Sequence, residues 1–290
     1  MRVLVYDYGW PEVMLAFAEG VIRYGHEVHM RDATRYSGYE PCDVAVTIEW
    51  PDTVAEIHRA VRSKGGITIG VHDGYLRRRG ENRYYGVARN GVHGYGEHVP
   101  LDYPTEDRWE RLGIQMKPWR RIGEHILIAH QWGANSPSFK RMKVERQPWI
   151  ARMVELLPTI TNRPIVFRTH PNDYPDAVDR CRQRFRDLDR GQIRYVHGAS
   201  EPFAKSLENC HAIVAFDSGA LIDAALAGVP VFVGGISMAD PVANHDIHRI
   251  ENPLMPDRTR WANWLAWAQW RVDEIRKGLP WKVLIEGWKL

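Results

Sequence analysis

Short apolar runs separated by longer amphipathic stretches recur along most of the chain, and this spacing does most to limit the fold. A short apolar run suits a strand buried on both faces, and a stretch with helical period suits a helix laid over it. Repeated in series, the pair gives parallel sheets covered by helices. Val3 to Tyr6 predicts the first strand, followed by a loop at Gly9-Trp10-Pro11 and a helix to about Arg23. Strands are expected over 25–30, 43–48 and 67–71, and a helix over 51–64 that opens on Pro and stops before Gly65-Gly66. The stretch from Asp73 to Tyr103 breaks the rhythm. It is rich in Gly, Tyr, Arg and His, has no clear period, and reads as a long functional loop before a helix over 106–112.

The alternation restarts at His125. Strands are expected over 125–129, 164–168, 192–196, 212–216 and 230–233, with helices over 145–157, 176–188, 202–207 and 220–227. The expected organisation is therefore an N-terminal Rossmann-like domain over 1–120, a C-terminal one over 121–255, and a helical segment over 256–290 that braces them. Two such halves leave a cleft, where ligands of open α/β sheets bind. Trp261, Trp264, Trp267 and Trp270 recur every three residues in a helix predicted from Thr259 to Ile275, forming one slanted face suited to core packing or bracing.

Composition narrows the class. With 44% hydrophobic and 26% charged residues the chain is of ordinary globular type. No apolar run approaches the ~18 residues of a membrane span. The first residues lack the apolar core and cleavage site of a signal peptide, so a cytoplasmic location is expected. Cys42, Cys181 and Cys210 are odd in number and widely spaced, which argues against a disulfide framework or a thiolate zinc site. A net charge of +3 does not by itself imply nucleic acid. Arg77-Arg78-Arg79 and Arg120-Arg121 are local basic clusters that suit a solvated face or phosphate contacts.

Four segments carry chemistry. In Ala215 to Val231, a strand ends at Phe216 and small residues open a helix. Ser218 and Gly219 let a phosphate approach free backbone N–H groups, and Asp223 lies one turn on, placed for ribose hydroxyls. An ordinary αβ turn with an Asp cap reads the same way. In Pro164 to Pro171, a strand delivers Arg168 and His170 to its carboxyl end, where Arg can clamp a phosphate and His can donate to one, or where His170 simply caps the strand end. In Gly70 to Arg78, a strand ends in Asp73 beside Gly74. Asp73 there is a general base, a nucleophile, or part of an Asp-Gly turn. The fourth is Ala129-His130-Gln131-Trp132-Gly133.

Taken together, these segments resemble the bacterial capsule-polysaccharide glycosyltransferases, notably those that move Kdo from CMP-Kdo. His72-Asp73-Gly74-Tyr75-Leu76-Arg77 is similar to an E-D-G-F/Y-x-R motif at a strand end. His130-Gln131 is similar to a Gln-bearing strand end, His170-Pro171 to an HP motif, and Asp217 to Val231 to N-S-T-x-x-x-E-A-L-x-x-G-x-P-V, in the same order. Asp217 stands for Asn, Gly219 for Thr, Asp223 for Glu, and His72 for the acidic residue before Asp-Gly.

The resemblance implies a GT-B-like fold of two Rossmann-like domains. His170 and Ser218 hold the donor phosphate, with Arg168, Gln131, Asp217, Gly219 and Asp223 around the nucleotide. Asp73 is the catalytic carboxylate, with His72 as its companion, and Arg77, Tyr75, Glu97 and His98 lie on the acceptor side. It implies a CMP- or UDP-linked sugar as substrate, no separate cofactor and no bound metal. His93 and His98, or His245 and His248, lack a third ligand of suitable spacing. The acceptor is a saccharide or a hydroxymethylated DNA base. A sugar-nucleotide epimerase or hydrolase, or a non-catalytic nucleotide-binding module, fits the same fold.

Overall fold

The computed structural model describes residues 1–48, 52–77, 80, 82–102, 107–131, 145–189 and 191–287. Trp132, Gly133, Arg78 and Arg79, named above, lie outside the described residues, as does the start of the helix expected at 106. The chain divides into two compact units. One comprises Met1–Gly113 and Thr259–Leu290, and the other Ile114–Arg258. The segment that the sequence sets apart at 256–290 thus belongs, from Thr259 on, to the first unit.

The first unit is built on a six-stranded sheet. Its strands are β1 (Arg2–Asp7), β2 (Glu27–Asp32), β3 (Val44–Ile48), β4 (Ile67–Asp73) and β5 (Tyr84–Arg89), joined late in the chain by a strand at Gln269–Arg271. The four strands β2, β1, β3 and β4 pair in parallel in that order, and β5 and the late strand extend the sheet antiparallel beyond β4. Helix Pro11–Ile22 carries Pro in its first turn, and the Asp7 carboxylate accepts from the Trp10 N–H just ahead of it at 3.0 Å. Val3 and Val5 face a core with Met14, Phe17, Trp270 and Trp281, while Leu4 and Tyr6 face Ile57 and Val61 on the opposite side. Burial on both faces gives β1 a continuous apolar run rather than an alternating one.

Two expectations are corrected here. The stretch from Asp73 to Tyr103 is not irregular throughout, because Tyr84–Arg89 forms β5 and His93–Tyr95 a short 3-10 turn. Its pattern hides the strand. Four consecutive residues are buried, and Gly86 sits in the middle because a Cβ there would overlap the His72 ring. The helix expected from Thr259 to Ile275 ends at Trp267, after which Gln269–Arg271 is a strand and Val272–Arg276 a further helix. Trp270 therefore packs in the sheet and does not continue the helical face of Trp261.

The second unit has five strands, β6 (His125–Ala129), β7 (Ile165–Arg168), β8 (Ile193–Val196), β9 (Cys210–Ala215) and β10 (Val231–Val233). All pair in parallel in the order β10-β9-β6-β7-β8. This is the doubly wound order, and its direction of winding reverses between β6 and β9. Helix Arg146–Ile160 buries Ile150, Met153, Val154 and Leu157 against Ile126, Ile128, Val214 and Phe232 of the sheet. Cys42, Cys181 and Cys210 form no disulfide with one another. Among the described residues, no helix is long and apolar enough to cross a membrane.

Candidate functional site

Ligands of a doubly wound sheet bind at the carboxyl ends of the strands beside the winding reversal. In the second unit Gln131 follows β6 and Asp217 follows β9, on the two sides of that point. The two are joined reciprocally: the Gln131 side-chain amide donates to Asp217 Oδ1, and the Asp217 N–H donates to Gln131 Oε1 at 3.0 Å. Ser218 comes next. Its Oγ accepts from the Ala220 N–H at 3.2 Å and its carbonyl from the Leu221 N–H at 3.0 Å, opening helix Ala220–Leu226. Gly219 precedes that helix, and Asp223 sits half-buried on its first turn.

His170 lies beyond β7 on a tight turn. Its backbone N–H donates to Asp173 Oδ2 at 2.7 Å, and its ring Nδ1 accepts from the Asn172 N–H at 3.1 Å. The neutral ring therefore carries its proton on Nε2. Burial lowers its pKa, against the opposing pull of Asp173. Arg168, expected as a phosphate clamp, is bonded within the protein. It is buried, and its guanidinium donates to Ser206 Oγ at 2.9 Å and to the carbonyls of Gly198 and Glu201 at 2.6 and 2.7 Å. Those bonds brace the segment from β8 to helix Phe203–Ser206 and leave its fork turned to protein.

Asp240 was not legible in the sequence, where it is one more loop carboxylate. Among the described residues its Oδ1 is buried without a hydrogen-bond partner, and burial, with a smaller push from the charge of Asp217, raises its carboxyl pKa.

In the first unit, Asp73 is exposed at the end of β4, in register with Tyr85 of β5. Register partners on antiparallel strands share a face. On that face Arg83 Nε donates to the Tyr85 hydroxyl at 2.5 Å, and its guanidinium lies 4.5 Å from the Tyr85 ring centre and 5.6 Å from that of Trp10. Asp73 thus stands beside a buried tyrosine whose ring is covered by Arg83 and met edge-on by Trp10. Tyr85 and the adjoining Arg83 escaped the sequence reading because β5 did, and Trp10 was read only as part of a loop.

His72, expected as the companion of Asp73, is buried. The strand pleat turns it to the opposite face from Asp73, and it has no exposure. Its Nδ1 bonds the Asp73 carbonyl at 2.6 Å and its Nε2 the Tyr75 hydroxyl at 2.8 Å. Both nitrogens being engaged, His72 holds the turn that presents Asp73. The residues expected on the acceptor side part company. Tyr75 is buried with His72, and His98 is buried, its ring edge-on to Trp264 at 5.5 Å. Arg77 caps helix Asp107–Leu112, donating from Nε to the Leu112 carbonyl at 3.1 Å. Glu97 is exposed but accepts from Asn90 Nδ2 at 3.2 Å.

The buried histidines give the first unit an acid limit. Burial, then the neighbouring His93, keeps His72 well below the ordinary histidine value, and burial lowers His98 to about 4. The unfolded chain takes up these protons below about pH 6.5 and the folded unit does not, so their contribution is complete above that pH and is lost towards pH 4. Urea unfolding should show a falling midpoint from pH 7 to pH 5, and less of a fall in His98→Gln. Equal midpoints for the wild type across that range would contradict this.

No protein-family model matches the chain, and no curated protein matches it. Among solved structures, the β-Kdo 2,4-transferase of Thermosulfurimonas dismutans KpsC is similar with a TM-score of 0.59 at 15% identity, over 92% of this chain and 90% of that one. The β-Kdo 2,7-transferase of the same KpsC gives a TM-score of 0.56 at 11% identity, over 97% of this chain and all of that one (100%). At such identities the likeness carries the fold, and that fold is the GT-B-like class expected from the motifs.

Proposed function

We propose that this chain is a glycosyltransferase that takes its sugar from a CMP- or UDP-linked donor and passes it to a hydroxyl acceptor. The observation that carries the reading is the Gln131–Asp217 pair, locked at the winding reversal of the second unit, with Ser218 and His170 at neighbouring strand ends. In this reading the Ser218–Gly219 turn and the Nε2–H of His170 meet the donor phosphates, and Asp223 meets the ribose. Asp217 accepts from the nucleotide or its sugar, its own orientation fixed by Gln131. Asp73 is the carboxylate that takes the proton of the acceptor hydroxyl or attacks the sugar. The fold shared with two Kdo-transferring domains supports the reaction class.

Thermal shift against CMP, UDP and other nucleotides tests the donor site, because ligand binding stabilises the folded chain by mass action. A shift with one nucleotide is expected, and it should shrink in His170→Ala and Ser218→Ala with unliganded melting almost unchanged. Calorimetry should then show about tenfold weaker binding in each, the scale of one charge-assisted hydrogen bond. Unchanged affinity in both variants would remove the site. A DNA acceptor predicts binding that falls steeply with salt, which a saccharide acceptor does not.

A further inference from the structure

The strand at Gln269–Arg271 reaches the turn that presents Asp73. Gln269 pairs in register with Gly86 of β5, and Gly86 in turn with His72 of β4. Register partners share a face, so His72 and Gln269 stand on either side of a glycine, on the face opposite Asp73. The His72 ring lies where a Cβ of residue 86 would be. From the other side the Gln269 side chain extends to the turn, where its Oε1 accepts from the Tyr75 and Leu76 N–H groups, both at 2.8 Å. Gln269 has no exposure, and among the described residues its Nε2 has no hydrogen-bond partner. The accepting oxygen is therefore the part of this side chain that holds the turn.

Three consecutive N–H groups of the turn are engaged in this way. That of Gly74 donates to the Tyr84 carbonyl at 3.0 Å, and those of Tyr75 and Leu76 donate to Gln269. His72 holds the same turn from its own side. Its Nδ1 donates to the Asp73 carbonyl at 2.6 Å, so its Nε2 accepts from the Tyr75 hydroxyl at 2.8 Å. Gln269 is itself fixed, because its carbonyl accepts from Arg108 Nη2 at 2.6 Å and that guanidinium is gripped by Glu274.

We infer that Gln269 is a positioning residue for Asp73. It touches no reacting group. By holding the Tyr75 and Leu76 backbone it fixes the turn, and with it the direction in which the Asp73 carboxylate leaves the end of β4. This rests on the reading of Asp73 above. The sequence gives Gln269 no role, because it lies within the tryptophan period and 194 positions from Tyr75, and their meeting depends on the late strand joining β5.

The test is release of CMP or UDP by the full chain from a panel of CMP- and UDP-sugars, with simple oligosaccharides as acceptors, beside calorimetry with CMP and UDP. Gln269→Met keeps the length and loses the oxygen, Gln269→Asn is one methylene short, and Gln269→Glu keeps an accepting oxygen. Circular dichroism is the folding control. Gln269→Met and Gln269→Asn should lower kcat about 10- to 100-fold, the scale of a slightly misplaced reacting group, with nucleotide affinity unchanged. Gln269→Glu should recover most of that rate. In an Asp73→Asn background Gln269→Met should cost nothing further, because it acts through the group already removed. A purely structural role would lower the rate by the same factor in both backgrounds. That result, wild-type kcat in the folded Gln269→Met, or a folded Gln269→Glu no faster than Gln269→Met, overturns the inference and leaves the Asp73 reading standing. A wild-type rate in Asp73→Asn removes that reading, and no release by the wild type removes transfer itself; the inference falls with either. If Gln269→Met does not fold, Gln269→Asn takes its place in both backgrounds.

Discussion

Asp73→Asn is expected to lower sugar transfer by ~100-fold or more, the usual scale for losing a positioned general base, while nucleotide affinity stays nearly intact. The substitution keeps the shape and removes the charge. The site's geometry makes the outcome specific to the carboxylate. Asp73 ends β4 in register with Tyr85, and the turn behind it is pinned by Gln269 Oε1, which accepts from the N–H groups of Tyr75 and Leu76, both at 2.8 Å. Gly74 lets that turn lie against the Tyr84 carbonyl, where a Cβ would collide. Asparagine alters none of this. Transfer assayed at saturating donor, beside calorimetry for the nucleotide, separates the two effects. Turnover close to wild type would pass the role to another residue and remove the main mechanistic content of the motif. His72→Gln separates presentation from chemistry. It should disturb the turn and the stability of the first unit, since His72 has no exposure and lies on the other face.

The second large effect is on stability. Arg108→Ala should destabilise the first unit by about 3–5 kcal/mol, the cost of removing one partner of a buried ion pair. Arg108 is buried on helix Asp107–Leu112. It donates to both carboxylate oxygens of Glu274, at 2.6 and 2.9 Å, and to the carbonyls of Ala266 and Gln269, at 2.7 and 2.6 Å. Its guanidinium lies 4.2 Å from the Trp270 ring centre. Truncation leaves two carbonyls without this donor and the Glu274 carboxylate with the Arg271 N–H, 2.9 Å from its Oε2, in place of a guanidinium. Arg108→Lys keeps the charge but loses the fork, and should recover only part of the loss. Urea unfolding followed by tryptophan fluorescence reads both. A loss below ~1 kcal/mol for Arg108→Ala, the range of an exposed pair, would contradict the account.

Arg108 shows where sequence reading stops. The strands β1, β3, β4, β6, β7, β9 and β10 were legible because burial on both faces writes itself as an apolar run. β5 and the strand at Gln269–Arg271 were not. Both lie where the sheet turns antiparallel, one interrupted by a glycine that accommodates a histidine ring, the other only three residues long inside a tryptophan period. The motif residues were legible as chain neighbours, but neighbours on a strand point to opposite faces. The pleat therefore separated His72 from Asp73, and Arg168 was drawn to carbonyls far along the chain. Asp173, Asp240 and the Trp10–Arg83–Tyr85 contact depend on turns closing, and no local pattern announces such closure.

The division of the first unit has a consequence for synthesis. Its strand at Gln269–Arg271 is made only after the whole of Ile114–Arg258. At ordinary elongation rates of about 5–20 residues per second, the nascent first unit waits roughly 10–35 seconds with β5 as an open sheet edge. The second unit, whose strands are contiguous in the chain, has everything it needs to close during that interval. The order of emergence thus makes the inserted unit the earlier folder and exposes the edge of β5 to stray pairing until the ribosome delivers its partner.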